Sequence, residues 1–593
     1  MVAMMALVAS VVAQDFTMAE REAAGDEAPK EVGPNGEYWP VKFSQDDLEK
    51  PWNYTYAQHV EPSKIDWDKA IAESQKILSK IHARYEFDGK GVKSSGRLFM
   101  LSVSNMRAKV WDMIKYKTAL KMLDPDYKIY KMVFGGSSVT AGHDSYYKQA
   151  YPNIVYESLG PMLASVGIEM QVHNIAQTAN GCIPYDLCYE AMGGMDADLV
   201  NWEQSYNCGH DDGAFELTAR WAGWSKQRGI VQFSASGAWA PSNCNASSDH
   251  PPFSDHEWTP KSAGIKDWKP KTTDLAEWKS TMDEFAQAHD SHARFTGSWG
   301  NDKAYAGVGK MAFNVWEGNS KAIYDGKGGQ MGFSIASPCG NMRFMTKEAS
   351  VYGLGKGARW HPTRGFHLLR GEFIAWNHAL PMLDAMYMVK EDLASGAKES
   401  TLLETYRAKV NELMPPMGGP KKCQKYHCEE KPSCFTNYYP HFPTDHTITE
   451  LIVGQNAWSY KGSIPTKGWH GAYGYRDLKP YFEVDSSKPE AGGFHVKVQT
   501  NKKDFFWVCG LKLENVKFFL HENGQDTLPK KEGSHQPYTP PHDSERKLLV
   551  NSEPEGGGGC RHLADIPTGN HILSLEYDYS STDKAQVHNV VMW

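Results

Sequence analysis

The stretch Phe134 to Asp144, Phe-Gly-Gly-Ser-Ser-Val-Thr-Ala-Gly-His-Asp, holds the residue types best suited to covalent chemistry. A short apolar run, Tyr127 to Phe134, ends in Gly135-Gly136, two serines follow at once, and a helix is predicted to begin soon after. A serine hydroxyl alone is a weak nucleophile and must be held where a base and a substrate can both reach it. A strand-to-helix turn at the C-terminal edge of a parallel sheet does that. Backbone N–H groups at such a turn face the place where an oxyanion would develop, and small residues let a substrate approach. The same residues also suit a Gly/Ser-rich turn without function.

Three later segments add chemistry. Asn174-Ile175-Ala176 closes a second predicted strand, and Ser205-Tyr206-Asn207 follows a third. Trp360-His361-Pro362 stands just ahead of a long predicted helix. An imidazole titrates near neutrality, so His361 can take a serine proton and return it to a leaving group. Taken singly, each segment has an ordinary alternative: a strand end, a turn asparagine, a structural histidine. The order Ser138, Ala176, Asn207 at the tips of successive strands favours the functional reading. His367 competes with His361, but it lies inside the predicted helix and is assigned a structural role.

Gly136-Ser137-Ser138-Val139-Thr140-Ala141-Gly142 resembles the first block of the SGNH (GDSL-type) hydrolase family, Gly-Asp-Ser-x-Thr-x-Gly. Asn174-Ile175-Ala176 is similar to the second block, Asn-x-Gly, and Ser205-Tyr206-Asn207-Cys208 to the third, Gly-x-Asn-Asp. Ala358 to Pro362 is similar to the fifth, Asp-x-x-His-Pro. The four blocks occur in family order across about residues 128–392. The resemblance implies Ser138 as nucleophile and His361 as base. It implies an oxyanion hole made by the Ser138 N–H, the Ala176 N–H and the Asn207 side chain. Ser137, Ala176, Ser205, Cys208 and Ala358 depart from the family's Asp, Gly, Gly, Asp and Asp. At Ala176 the amide donor survives the loss of glycine, but the backbone freedom does not. At Ala358 the carboxylate that orients the imidazole is missing, and Gly355-Lys356-Gly357-Ala358-Arg359 offers no other. A Ser–His dyad, a carboxylate from elsewhere, or lost catalysis would each account for that. Losing the orienting carboxylate slows such chemistry by orders of magnitude without abolishing it.

The implied function is hydrolysis of an acyl or acetyl ester, on a glycan or a small secreted substrate, with no metal or organic cofactor. Two rivals use the same residues. One is a catalytically inactive cleft that binds a glycan or a protein partner. The other is acyl transfer to an acceptor sugar.

These residues need a scaffold. Apolar runs at Tyr127–Phe134, Ile168–Ile175, Ala197–Glu203 and Gly229–Ala235 read as strands. Helical periodicity appears at 65–85, 106–123, 146–166, 214–227, 275–294, 365–389 and 400–414. Strands alternating with helices predict a parallel sheet covered on both faces. The expected fold is therefore a three-layer α/β/α, SGNH/flavodoxin-like. After about residue 448 short strand-like runs alternate with turn residues, which predicts a C-terminal all-β sandwich. The expected division is an N-terminal extension with helices at 14–125, the hydrolase-like unit at 126–414 with an insertion at about 236–345, a Cys-rich linker at 415–447, and the sandwich at 448–593. Trp458, Trp469, Tyr473 and Tyr475 of the sandwich could stack on sugar faces, though core packing is the preferred assignment.

Composition fits this picture. A chain of 593 residues exceeds one hydrophobic core, and 41% hydrophobic residues suffice for two. A net charge of −8 without a dense basic tract gives nucleic acid no electrostatic footprint. Met1 to Ala13 has the shape of a signal-peptide apolar region, is too short to span a bilayer, and predicts a secreted protein. Ten cysteines and sequons at Asn53 and Asn245 agree with export. The cysteines are expected to form disulfides of unspecified pairing. A zinc site from Cys423, His427 and Cys428 is the weaker alternative, because its spacing matches no standard pattern.

Overall fold

The computed structural model describes residues 31–32, 38–39, 60–84, 104–142, 150–177, 181–204, 212–234, 274–290, 310–313, 364–420, 422–437, 446–455, 458–461, 481–485, 487, 493–501, 506–521, 546–549, 559–563, 566–580 and 583–592. The first sheet has six strands: β1 (Ser104–Met106), β2 (Ile129–Gly136), β3 (Glu169–Asn174), β4 (Leu199–Glu203), β5 (Ile230–Ser234) and β6 (Lys310–Phe313). Their spatial order is β1-β6-β5-β4-β2-β3. Every neighbouring pair from β6 to β3 is parallel, and β1 runs antiparallel to β6 at the edge. Strand β2 is buried along almost its whole length, as an interior parallel strand must be.

Helices cover both faces. Phe134 of β2 meets Tyr151 of the helix Tyr151–Ala164 edge-on, with ring centroids 5.7 Å apart. On the other face, a Cβ added to Gly193 would stand 2.8 Å from Val133 Cγ1 and 3.4 Å from Trp221. Among the described residues, leaving aside the kinked turn Cys182–Tyr185, the helices in chain order are α1 (Trp67–Arg84), α2 (Ala108–Leu123), α3 (Ser138–Ala141), α4 (Tyr151–Ala164), α5 (Tyr189–Gly193), α6 (Asp212–Trp224), α7 (Leu275–Asp290), α8 (Arg364–Ala394) and α9 (Glu399–Leu413). Helices α2, α4 and α8 pack together on the Phe134 face, and α5 and α6 lie on the Val133 face. This is the expected three-layer α/β/α architecture.

Two boundaries differ from the sequence expectation. Residues 14–125 supply β1 of the main sheet and α1 and α2 of its covering layer, with Trp111, Met113 and Ile114 fully buried in the common core. The described segments 60–84 and 104–123 thus pack into the α/β core. Likewise the stretch read as an insertion, 236–345, supplies α7 and the sheet strand β6. A four-residue strand is too short to show a period in sequence.

Helices α4 and α8 approach very closely. A Cβ at Gly371 would stand 2.5 Å from Ile154 Cβ and 2.9 Å from the Tyr151 carbonyl oxygen, which is backbone and cannot move aside cheaply. Gly371→Val is expected to cost about 1–3 kcal/mol by overpacking. A chemical-denaturation midpoint unchanged from wild type would contradict this contact.

The C-terminal part is antiparallel β. Its strands are β7 (Ser433–Thr436), β8 (Ile452–Gln455), β9 (Trp458–Lys461), β10 (Tyr481–Val484), β11 (Phe494–Thr500), β12 (Phe506–Leu511), β13 (Val516–His521), β14 (Arg546–Leu549), β15 (Cys560–His562), β16 (Gly569–Tyr577) and β17 (Gln586–Met592). One sheet has the order β8-β11-β16-β13-β14 and the other β9-β10-β17-β12-β15. Alternate residues of each enclose a core that includes Phe482, Phe494, Val496, Phe518, Leu573 and Val587. Residues 433–436, assigned in sequence to the linker, are strand β7 and pair with β17. Trp458 lies in this core, tilted against Phe494 at 5.6 Å, so packing is its role. Trp469, Tyr473, Tyr475 and both sequons lie outside the described residues.

Disulfides join Cys188 to Cys434, Cys423 to Cys428 and Cys509 to Cys560. The Cys423–Cys428 bond uses the sulfurs that the zinc alternative required. The Cys188–Cys434 bond ties the α/β unit, just ahead of α5, to β7 of the sandwich. Trp507 and Val591 of the sandwich join the α/β core cluster, so the two parts share an apolar seam. No helix among the described residues is long and apolar enough to cross a membrane.

Candidate active site

The strand order reverses at β2. Strand β3 lies on one side of it, whereas β4, β5 and β6 follow on the other. Open parallel sheets bind ligands at the carboxyl ends of the strands at such a switch point. Strand β2 ends there at Gly136, Ser137 forms the bend, and Ser138 is the first residue of α3.

The bend is held by a carboxylate that motif comparison does not pick out. Glu203, the last residue of β4, is fully buried. Its Oε2 accepts hydrogen bonds from Ser137 N–H (3.1 Å), Ser137 Oγ (2.8 Å) and Thr140 Oγ1 (2.7 Å). Its carbonyl oxygen accepts from Ser137 N–H as well, at 3.0 Å. Ser137 stands where the resembled motif has aspartate. The acceptor that an aspartate would carry on the turn is supplied here from the neighbouring strand. Gly136 leaves the room for it, since a Cβ there would stand 2.2 Å from Thr140 Oγ1 and 2.9 Å from Glu203 Oε2. Burial pushes the Glu203 carboxyl above its ordinary value. The positive charge of Arg370 and the three donated bonds pull the other way.

From Thr140 the network crosses to the covering helices. Thr140 donates to Glu203, so the 2.7 Å contact between Thr140 Oγ1 and Tyr151 Oη is donated by the phenol. Tyr151 Oη in turn accepts from Asn201 Nδ2 (3.1 Å), and burial keeps the phenol protonated. Tyr151 N–H donates to His367 Nδ1 at 3.3 Å, their rings stack at 6.1 Å, and Arg370 Cζ lies 4.5 Å from the Tyr151 ring centroid. His367 is buried in this contact. The first turns of α8 are thus fastened, through Tyr151 and Thr140, to the bend that carries Ser138. His361 precedes the start of α8 by three residues.

The positions of the other expected site residues are mixed. Ala176 is buried just beyond β3, and its N–H donates to Asn174 Oδ1 at 3.2 Å. That amide was expected to serve an oxyanion, and to do so it must share or exchange this long bond. Asn174 Nδ2 donates to the Thr140 carbonyl at 2.8 Å, which joins the tip of β3 to α3. The next residue, Gln177, is buried with neither end of its carboxamide hydrogen-bonded, and it adjoins the same sheet edge. Asn207, Ala358 and His361 lie outside the described residues, as does the sulfur partner of Cys182.

Glu203, Tyr151, Arg370 and Gln177 were not singled out from sequence. One signal was present: a glutamate ends the apolar strand Leu-Val-Asn-Trp-Glu, and a charge buried there needs partners.

No family model matches the chain, and no curated protein does. Among solved structures it is similar to a two-domain esterase (CEX) active on acetylated mannans, co-crystallised with mannopentaose, at 10% identity and a TM-score of 0.34, over 78% of this chain and 90% of that one. A second structure of a two-domain esterase (CEX) active on acetylated mannans gives 11% identity and a TM-score of 0.31, over 78% and 91%. A Corynascus thermopiles (Myceliophthora fergusii) carbohydrate esterase family 2 enzyme plus carbohydrate binding domain gives 13% and 0.20, over 42% and 66%.

A second buried chain of polar groups lies beside the site. Gln232 Nε2 donates to Asn201 Oδ1 at 2.8 Å, and Gln232 Oε1 accepts from His378 Nε2 at 3.3 Å. Burial drives the His378 imidazole down from 6.5 to about 3, so it is neutral in the folded protein at ordinary pH. The unfolded chain binds this proton below about pH 6.5 and the folded chain does not. Stability from this group is therefore complete above pH 6.5 and falls as pH drops toward 3, at about 1.4 kcal/mol per pH unit. In urea titrations at pH 7, 5 and 4, His378→Gln should lose less stability on acidification than wild type. Parallel losses in the two proteins would refute the assignment.

Proposed function

We propose that this chain is a serine ester hydrolase of the SGNH kind, which removes an acyl or acetyl group from a glycan or a small ester. The observation that carries the reading is the start of α3: a serine at the switch point of a parallel sheet, on a bend anchored by a buried carboxylate.

In this reading Ser138 Oγ attacks the ester carbonyl carbon while His361 takes its proton. The carbonyl oxygen becomes an oxyanion, met by the Ser138 N–H, the Asn207 carboxamide and the shared Ala176 N–H. Collapse of the adduct expels the alcohol, which receives the proton from His361, and leaves an acyl-enzyme. Water, deprotonated by His361, attacks the acyl carbon. The carboxylic acid departs and Ser138 is restored. The scheme needs no metal or organic cofactor. Residue 358 is alanine, so in this reading Ser138 and His361 act as a dyad. The disulfides support an oxidising compartment, hence a secreted protein.

A fluorophosphonate probe tests the reading. It should label the full-length chain once, and Ser138→Ala should abolish labelling. Failure to label the wild type would leave a binding protein, not an enzyme. Product analysis with and without an acceptor sugar separates hydrolysis from acyl transfer.

A further inference from the structure

A cavity of about 490 Å³ lies on the seam between the α/β unit and the sandwich, and none of the residues of the Ser138 bend lines it. Glu190 of α5 forms one wall; Ser433 and Phe435 of β7, with residues of β11 and β16, form the others. The volume is within the ~300–1,000 Å³ of small-ligand sites.

Its walls are fixed covalently and ionically. The Cys188–Cys434 disulfide lies two residues from Glu190 and one from Ser433. Glu190 is held by Lys431 at 2.7 Å. Glu450 is occupied in a capping box with Thr447. Both carboxylates are thus already engaged.

Four further polar side chains of the lining are not. Gln499 of β11 and Asn570 of β16 are directly opposite each other in the antiparallel register, so their side chains share the sheet face turned away from the sandwich core. Asn501 and Lys497 also line the cavity. Among the described residues, none of these four side chains has a hydrogen-bond partner. Each carboxamide both donates and accepts, as a hydroxyl does. Paired amides on adjacent strands suit neighbouring hydroxyls of one ligand. The two carboxylates disfavour an anion at Lys497, and Lys497 disfavours a cation.

From this we infer that the seam cavity binds a neutral, hydroxyl-rich ligand, a segment of glycan chain, at a site separate from the Ser138 bend. The binding does not require the esterase reading to hold, and its failure would leave that reading intact.

The test is calorimetric titration of the full-length protein with cellohexaose, mannohexaose and xylohexaose, comparing wild type with Gln499→Ala/Asn570→Ala. Both replaced residues are exposed, and thermal unfolding should confirm an unchanged fold. At least one hexasaccharide should bind wild type and lose at least tenfold in affinity in the double variant. Hydrolysis of p-nitrophenyl acetate should be the same in both proteins. Absence of binding by all three sugars, or equal affinity in the double variant, would overturn the proposal. Tighter binding of an oligogalacturonate that Lys497→Ala weakens would overturn the neutral assignment.

Discussion

Ser138→Ala is expected to reduce kcat/KM for a chromogenic acetyl ester by about 10⁴-fold or more, because the reaction loses the atom that forms the acyl-enzyme. The fold should hardly notice. The bend is anchored by Ser137 and Thr140, whose oxygens reach Glu203. The change in unfolding free energy should stay within about 0.5 kcal/mol. His361→Ala should fall to a similar residual rate. The double variant should be no slower than the slower single one, since nucleophile and base act as a unit. Steady-state kinetics on the three proteins check this. A double variant much slower than either single variant would mean that the two residues serve separate steps.

Glu203→Ala should have the largest effect on stability. It removes the acceptor of three hydrogen bonds from the bend and a negative charge that acts on the buried Arg370. Each buried donor left without its acceptor typically costs about 1–3 kcal/mol. Glu203→Gln keeps the shape and one acceptor oxygen but supplies no charge, so it should lie between wild type and Glu203→Ala. Activity should fall with the bend, whereas Ser137→Ala, which deletes one donor to the carboxylate and the acceptor of the Val139 N–H, should cost about 1.5–3 kcal/mol. Urea unfolding of the three variants decides the matter. Equal stabilities for wild type and Glu203→Ala would show that the bend does not depend on this carboxylate.

Sequence periodicity was sufficient for the elements that repeat over many residues. The buried run Ile129–Phe134, the long helix α8 and the alternation of strands with helices specify a parallel α/β sheet, and the short strands after residue 448 specify antiparallel β. The Gly-Gly-Ser-Ser bend was legible for the same reason: a strand, a turn and a helix follow each other locally, with no long-range contact needed to see them. Contacts between distant segments were not legible. Strand β6 is only four residues long and is recognised by its neighbour β5, not by its own pattern. The Cys188–Cys434 pairing spans 246 residues, and spacing does not encode it. Glu203 reads in sequence as the polar end of a strand. Only parallel pairing of β2 with β4 sets Gly136 beside it and brings its carboxylate under the serine bend. Local chemistry is written in neighbouring residues, whereas a buried charge finds its partners only once the chain has folded around it.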